Sequence, residues 1–180
     1  MFEKSRLLPR DDWEQDLIDL ELLREAEQLR KYYHFMQISY KQSNVPFTFI
    51  LVSIHAFDEL VHRYGVDVMK DGLMEMHKYL VQEKGSSNLI FRLPTKHIWV
   101  LLVPKSTIQE AVLFLENLFQ NTPLISDGQN ANICLYLSGC IIETVSAEMD
   151  MEKIFEVGKT HLEEALQKGP SQMKVMKYNE

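Results

Sequence analysis

No run of 18 apolar residues occurs anywhere in the 180-residue chain, so no segment is expected to cross a bilayer as a helix. The opening residues, Met1-Phe-Glu-Lys-Ser-Arg, lack the apolar core that a secretory signal needs. Cations are in deficit: 19 Lys and Arg stand against 26 Asp and Glu, a formal net charge of −7. An acidic surface argues against nucleic acid or an anionic membrane as partner. Cysteine is down to two, Cys134 and Cys140, in what reads as one strand. Six residues of strand span roughly 20 Å, whereas a disulfide needs its Cα atoms within about 7 Å. The two are not expected to bridge, and a reducing, cytoplasmic compartment fits best. The sequence holds no phosphate-binding loop, no dinucleotide fingerprint, no Ser-His-Asp order, no internal repeat and no low-complexity tract.

What is present is enough apolar residue, 46%, to bury one full core. Residues 1–10 read as a short arm ending around Pro9. From Asp11 to about Ser43 the pattern is helical, with Asp11 or Asp12 as N-cap. Within it Leu22, Ala26, Leu29, Tyr33, Met36 and Tyr40 are spaced as a heptad seam. Phe47 to Ile54 is an unbroken apolar and β-branched run, a buried strand. A helical stretch from Phe57 to Glu83 is interrupted near Tyr64-Gly65 and carries Met69, Leu73, Met76 and Leu80 on one face. Leu89–Leu93 and Ile98–Val103 read as strands joined by a tight turn. A helix over 105–120 faces Ile108, Ala111, Val112, Leu115 and Leu118 inward. Residues 121–130 read as a loop and Ala131–Glu143 as one long strand. A last helix, about 150–168, buries Met151, Ile154, Phe155, Gly158, Leu162 and Ala165 and stops at Gly169-Pro170, before an edge strand Met173–Tyr178. This order predicts an α+β sandwich: a central, mostly antiparallel five-stranded sheet flanked by helices, with an N-terminal helix. The expected division is 1–43, arm and helix, and 44–180, the sheet-bearing domain.

The stretch from Phe47 through Ser53-Ile54-His55-Ala56-Phe57-Asp58 to Tyr64-Gly65, then Arg92-Leu93 before a hairpin turn and Trp99-Val100-Leu101-Leu102 after it, resembles the GGDEF (diguanylate cyclase) family of bacteria. Lys168-Gly169 matches the family's closing helix. The resemblance covers roughly residues 11–178 and implies the nucleotide cyclase-like sandwich. Position by position it also implies a degenerate site. The family's metal-binding Asp at the end of the first strand corresponds to Ser53, and its second acidic ligand, on the hairpin turn, to Lys96. Mg²⁺ needs hard, charged oxygen ligands, which this pair does not supply. The guanine-reading Asn falls at Val61 and its partner Asp at Lys70. The hairpin glycines become Pro94 and Thr95, and the triphosphate-holding Lys and Arg become Leu166 and Pro170. The product-inhibition motif would run from Gly85 to Asn88 and is missing. The resemblance therefore implies no catalytic residue, no metal, no cofactor and no cyclase activity.

Other features carry two readings each. His55 and His62, with His97 nearby in such a fold, form a candidate metal cluster, although solvated or hydrogen-bonded histidines are the expected state. His55, Arg92, Lys96 and His97 are candidate contacts of an altered pocket that takes an anion such as a nucleotide phosphate; the plain alternative is a polar hairpin tip with Pro94 in a type I turn. Met69, Met74 and Met76 read as flexible core filler. Cys140 reads as buried and inert. The N-terminal helix carries more apolar residues than one contact face covers: Trp13, Leu17, Leu20 and Leu23 lie partly off the stripe that includes Leu22, Leu29, Tyr33 and Tyr40. An interface, with another protein or by self-association, is one use for it, centred on residues 7–25; packing on the chain's own sheet is the other, for 26–42. The favoured function is a catalytically inactive, GGDEF-like protein-interaction or regulatory module in bacterial signalling or a membrane-associated assembly. The alternative is a pseudo-enzyme sensing cyclic-di-GMP or GTP through replaced contacts.

Overall fold

The computed structural model describes residues 10–93, 97–129, 131–145, 148 and 150–178, with side chains from residue 24 onward. Along the chain run α1 (Arg10–Ser43), β1 (Phe47–Ile54), α2 (Phe57–Tyr64), α3 (Val66–Glu83), β2 (Leu89–Arg92) and β3 (Ile98–Val103). There follow α4 (Ile108–Gln120), β4 (Leu124–Ser126), β5 (Asn132–Cys134), β6 (Leu137–Thr144), α5 (Met151–Lys168) and β7 (Met173–Tyr178). Five strands form one sheet in the order β2-β3-β1-β6-β7. Its pairs are antiparallel except β6 with β7, which α5 joins as a crossover. This is the expected α+β arrangement.

β1 lies at the centre because it is apolar on both faces, and all eight of its residues are buried. Phe49 and Leu51 face a cluster shared with Leu29, Tyr33 and Met36 of α1 and with Ile154 and Leu162 of α5. Ile50, Val52 and Ile54 face the other cluster, with Met69, Leu73, Met76 and Leu80 of α3 and Ala111, Leu115 and Leu118 of α4. The boundary expected at residue 43 thus separates elements, while the core spans it. The interruption of the second helical stretch falls at Gly65, whose φ of 88° is a conformation that favours glycine.

Several expectations are corrected. The N-terminal helix already includes Arg10, so Asp11 and Asp12 sit inside its first turn rather than capping it. α4 begins at Ile108, not 105, because Lys105 turns with φ 52° and Thr107 closes a capping box with Glu110. The loop at 121–130 contains β4, which pairs with β5 in a separate two-stranded sheet. The single strand expected over 131–143 is two, broken at Leu135-Tyr136. The premise that Cys134 and Cys140 share a strand therefore fails: Cys134 is exposed on β5, Cys140 is buried on β6, and both are free. Met74 is 55% exposed and is not core filler, unlike Met69 and Met76.

One buried carboxylate ties three elements together. Glu143, on β6, accepts a hydrogen bond from the Ile108 N–H at the start of α4 (3.2 Å) and pairs with Lys177 Nζ of β7 (3.2 Å). A carboxylate at a helix N-terminus meets both the free amides and the positive end of the dipole.

Candidate functional site

The candidate site is a cleft of about 490 Å³ where β1 ends and α2 begins. Ser53, His55, Phe57, Asp58, Glu59 and His97 line it, with Leu166 and Gln167 of α5 closing one side. The chain leaves the sheet here because the His55 N–H donates to the Tyr136 carbonyl (2.7 Å) and Ala56 then adopts a left-handed conformation, φ 52° and ψ 37°. A non-glycine residue in that region is strained, and such residues gather at ligand-binding turns. The turn aims the first residues of α2 into the cleft. From the far side His97, next to the hairpin tip, stacks on Phe57 with ring centroids 4.8 Å apart and planes 12° from parallel.

The chemistry of this lining is mild. Ser53 is fully buried, and its hydroxyl donates at 3.5 Å to the carbonyl of Ile54. A neutral, inward-turned hydroxyl does not fit the Mg²⁺ that an acidic residue at this position would hold in an intact site of the family. Asp58 and Glu59 place two carboxylates in the first turn of α2, where the dipole stabilises them and where they repel phosphate. His55 Nδ1 is buried without a hydrogen-bond partner among the described residues. Among the described residues no group of three or more His, Cys, Asp and Glu is placed to hold a metal ion; His62 lies on the exposed side of α2, outside the cleft lining.

The structure brings His55 and His97 together in the cleft, but Arg92 lies elsewhere. Its backbone N–H, on the open edge of β2, donates to the Glu25 carboxylate of α1, so the N-terminal helix covers the end of an edge strand. The Arg92 guanidinium is held below its ordinary range by burial, with Glu25 opposing that shift. Beside it, Trp99 Nε1 donates to His77 Nδ1 at 3.2 Å. Burial lowers the His77 pKa; Glu25 works against this and Arg92 with it. Lys96 lies outside the described residues.

The apolar positions of α1 divide. Leu29 and Tyr33, each 2% exposed, are occupied by the chain's own sheet and are withdrawn as partner contacts; Tyr33 meets Phe47 and Phe49 edge-on. Burial pushes the Tyr33 phenol up, and Asp150 acts in the same direction. Tyr40 is half-buried and donates to the Val145 carbonyl (2.7 Å). Trp13, Leu17, Leu20, Leu22 and Leu23 belong to the helix, and their side chains lie outside the described residues. Cys140 is pushed up to about 12 by burial, with Glu164 adding to the shift, so it is protonated at neutral pH. Of the positions carried over from the resemblance, Val61 packs against the core, Lys70 and Pro170 are exposed, and Leu166 walls the cleft. Asp58, Glu59 and Gln167 escaped the sequence reading as site residues. The signal for the two acids was present in their position just after the Phe57 helix start.

The sequence matches no protein-family model and no curated protein. Solved structures do match in fold. The GGEEF domain of a Vibrio cholerae diguanylate cyclase aligns with TM-score 0.73 and 14% identity, covering 85% of this chain and 97% of that one. The diguanylate cyclase SiaD of Pseudomonas aeruginosa, solved with its activator SiaC, aligns with TM-score 0.76 and 16% identity over 92% of this chain and 68% of that one. The coiled coil and GGDEF domain of Caulobacter crescentus DgcB, solved with c-di-GMP, aligns with TM-score 0.72 and 9% identity over 92% and 94%. The chain has the GGDEF-domain fold, at identities that speak to fold alone.

Proposed function

We propose that this GGDEF-like domain does not cyclise nucleotides and serves as a regulatory protein-interaction module in bacterial signalling or a membrane-associated assembly. The observation that carries the proposal is the lining of the cleft at the end of β1: a buried serine hydroxyl, two carboxylates at the start of α2 and an apolar Leu166 wall. Mg²⁺-nucleotide chemistry requires negative ligands around the metal and positive groups around the phosphates. Here the described lining offers no Lys or Arg to a phosphate, and a neutral hydroxyl stands at the end of β1. Support for a protein partner comes from SiaD, a chain of the same fold solved with an activator protein, and from the apolar surplus of α1. A cytoplasmic setting is part of the proposal and rests on the two free thiols.

A second reading, a nucleotide sensor for cyclic-di-GMP or GTP, draws on the cleft volume of about 490 Å³, which suits a small-molecule site, and on the Phe57–His97 stack at its mouth. Incubation with GTP and Mg²⁺, followed by chromatography of the nucleotides, tests the loss of catalysis. The expected result is GTP recovered unchanged; accumulation of a cyclic dinucleotide overturns the proposal.

A further inference from the structure

Between the second half of α1 and the end of the sheet where β1 and β2 begin lies an apolar groove of about 270 Å³, at the small end of the range for ligand sites. Met36 and Phe47 form the buried part of its lining, and Tyr32, Phe35, Val45 and Leu89 the open part. Phe35 is 67% exposed, Tyr32 45% and Val45 39%, so large apolar side chains are gathered here without a cover. The groove lies at the opposite end of β1 from the Ser53 cleft and shares no lining residue with it.

Charge at this groove departs from that of the whole chain. The net charge is −7, yet residues 28–47 and 84–109, the two segments that line the groove, contain no Asp or Glu; every formally charged residue in them is Lys or Arg. Lys105 is the one charged residue of the lining itself. It stands in the turn between β3 and α4 with φ 52°, and its ammonium has no ion-pair or hydrogen-bond partner among the described residues. The other polar side-chain groups of the lining are the Ser39 and Ser87 hydroxyls and the Tyr32 phenol.

We propose that this groove binds a medium-chain fatty acid, with the alkyl chain against Met36, Phe47 and Phe35 and the carboxylate paired with Lys105. The match is one of polar groups as well as charge. A peptide would bring an N–H and a C=O for each residue, and the lining side chains offer few partners for them. An alkyl chain brings none and covers the exposed rings, gaining free energy in proportion to the apolar area removed from water. Its single carboxylate meets the single free ammonium at the exposed rim, where both keep part of their hydration. The proposal goes beyond the interaction role and does not rest on it: fatty-acid binding leaves the nucleotide reading of the cleft untouched, and a nucleotide titration does not bear on the groove.

Calorimetric titration of the full chain with octanoate, decanoate and decanol, each below its aggregation concentration, tests both halves of the ligand. Decanoate is expected to bind more tightly than octanoate, by about fourfold for each added CH₂. Decanol, which keeps the chain and loses the charge, should bind about fivefold more weakly than decanoate. Lys105→Gln should weaken decanoate by the same factor and leave decanol unchanged, a cycle that isolates the pair from general apolar binding. Phe35→Glu, at an exposed position, should lower decanoate affinity more than tenfold without moving the melting temperature of the free protein. Absence of decanoate binding overturns the proposal, and so does a Lys105→Gln protein that binds decanoate as tightly as the native chain. Tighter binding of the peptide Leu-Leu-Phe with a free carboxylate, or of phosphatidylglycerol vesicles, would assign the groove to a protein terminus or a membrane instead and overturns it as well.

Discussion

Replacing Glu143 with alanine should cost the fold about 2–4 kcal/mol, the largest loss expected from any single charged side chain described here. The figure comes from its surroundings. The residue is 4% exposed, so its carboxylate interacts through little water. The hydrogen bond it accepts from the Ile108 N–H is worth about 1.5–3 kcal/mol as a bond to a charged group. The positive end of α4 adds roughly 0.3–1 kcal/mol. The pair with Lys177 adds at most about 1 kcal/mol, because the lysine side chain is 58% exposed and water screens it. A graded series follows: Glu143→Ala costs most, Glu143→Gln about half as much by keeping an acceptor without the charge, and Lys177→Ala below about 1 kcal/mol. In a chain of this size each kcal/mol corresponds to about 2–4 °C in Tm. Urea unfolding followed by circular dichroism measures the series. A Glu143→Ala loss under about 0.5 kcal/mol, or a Lys177→Ala loss as large as that of Glu143→Ala, would refute the idea that the helix N-terminus is the main partner.

Two further outcomes are expected. At Gly158 of α5 an added Cβ would lie 2.4 Å from Leu51 Cδ1 and 3.1 Å from Ile142 Cδ1. Gly158→Ala should therefore destabilise by about 1–2 kcal/mol, overriding the ~1 kcal/mol that alanine gains in a helix, and a rise in urea midpoint would contradict the close helix-on-sheet contact. His77 accepts from Trp99 through Nδ1 and so must be unprotonated there, and burial holds its folded pKa below the unfolded value of 6.5. The unfolded chain then takes up the proton first as pH falls, so this contribution is fully present above 6.5 and lost below it. Urea midpoints across that range should show an acid limb that His77→Gln flattens, and an unchanged limb would count against a neutral His77.

Much of the architecture was legible in the residues. Phe47–Ile54 announces a central strand because no polar side is left on it, and the two-face burial of β1 follows from that run alone. The seam at Leu29, Tyr33 and Met36 was legible for the same reason, since its spacing leaves one stripe for the sheet. The split of 131–143 was not legible. Ala131 to Glu143 reads as one β run, and what breaks it is tertiary: Tyr136 gives its carbonyl to His55 where the chain passes from one sheet to the other. The start of α4 was legible and missed, because Thr107-x-x-Glu110 is a capping box in the sequence itself.

The site divides in the same way. Ser53, His55 and His97 could be placed because a family frame fixed their spacing. Arg92 was misplaced because its neighbours are set by Glu25, 67 residues away on another element. No local pattern encodes a contact at that separation.

Whether the cleft at Ser53 takes a nucleotide decides between a silent scaffold and a sensor. Calorimetric titration of the full chain with GTP and with cyclic-di-GMP, each with and without Mg²⁺, measures this. No heat of binding beyond dilution is expected in any of the four titrations, because the described lining of the cleft holds two carboxylates and a buried neutral hydroxyl but no Lys or Arg to meet a phosphate. Micromolar affinity that depends on Mg²⁺ would show a working nucleotide site instead.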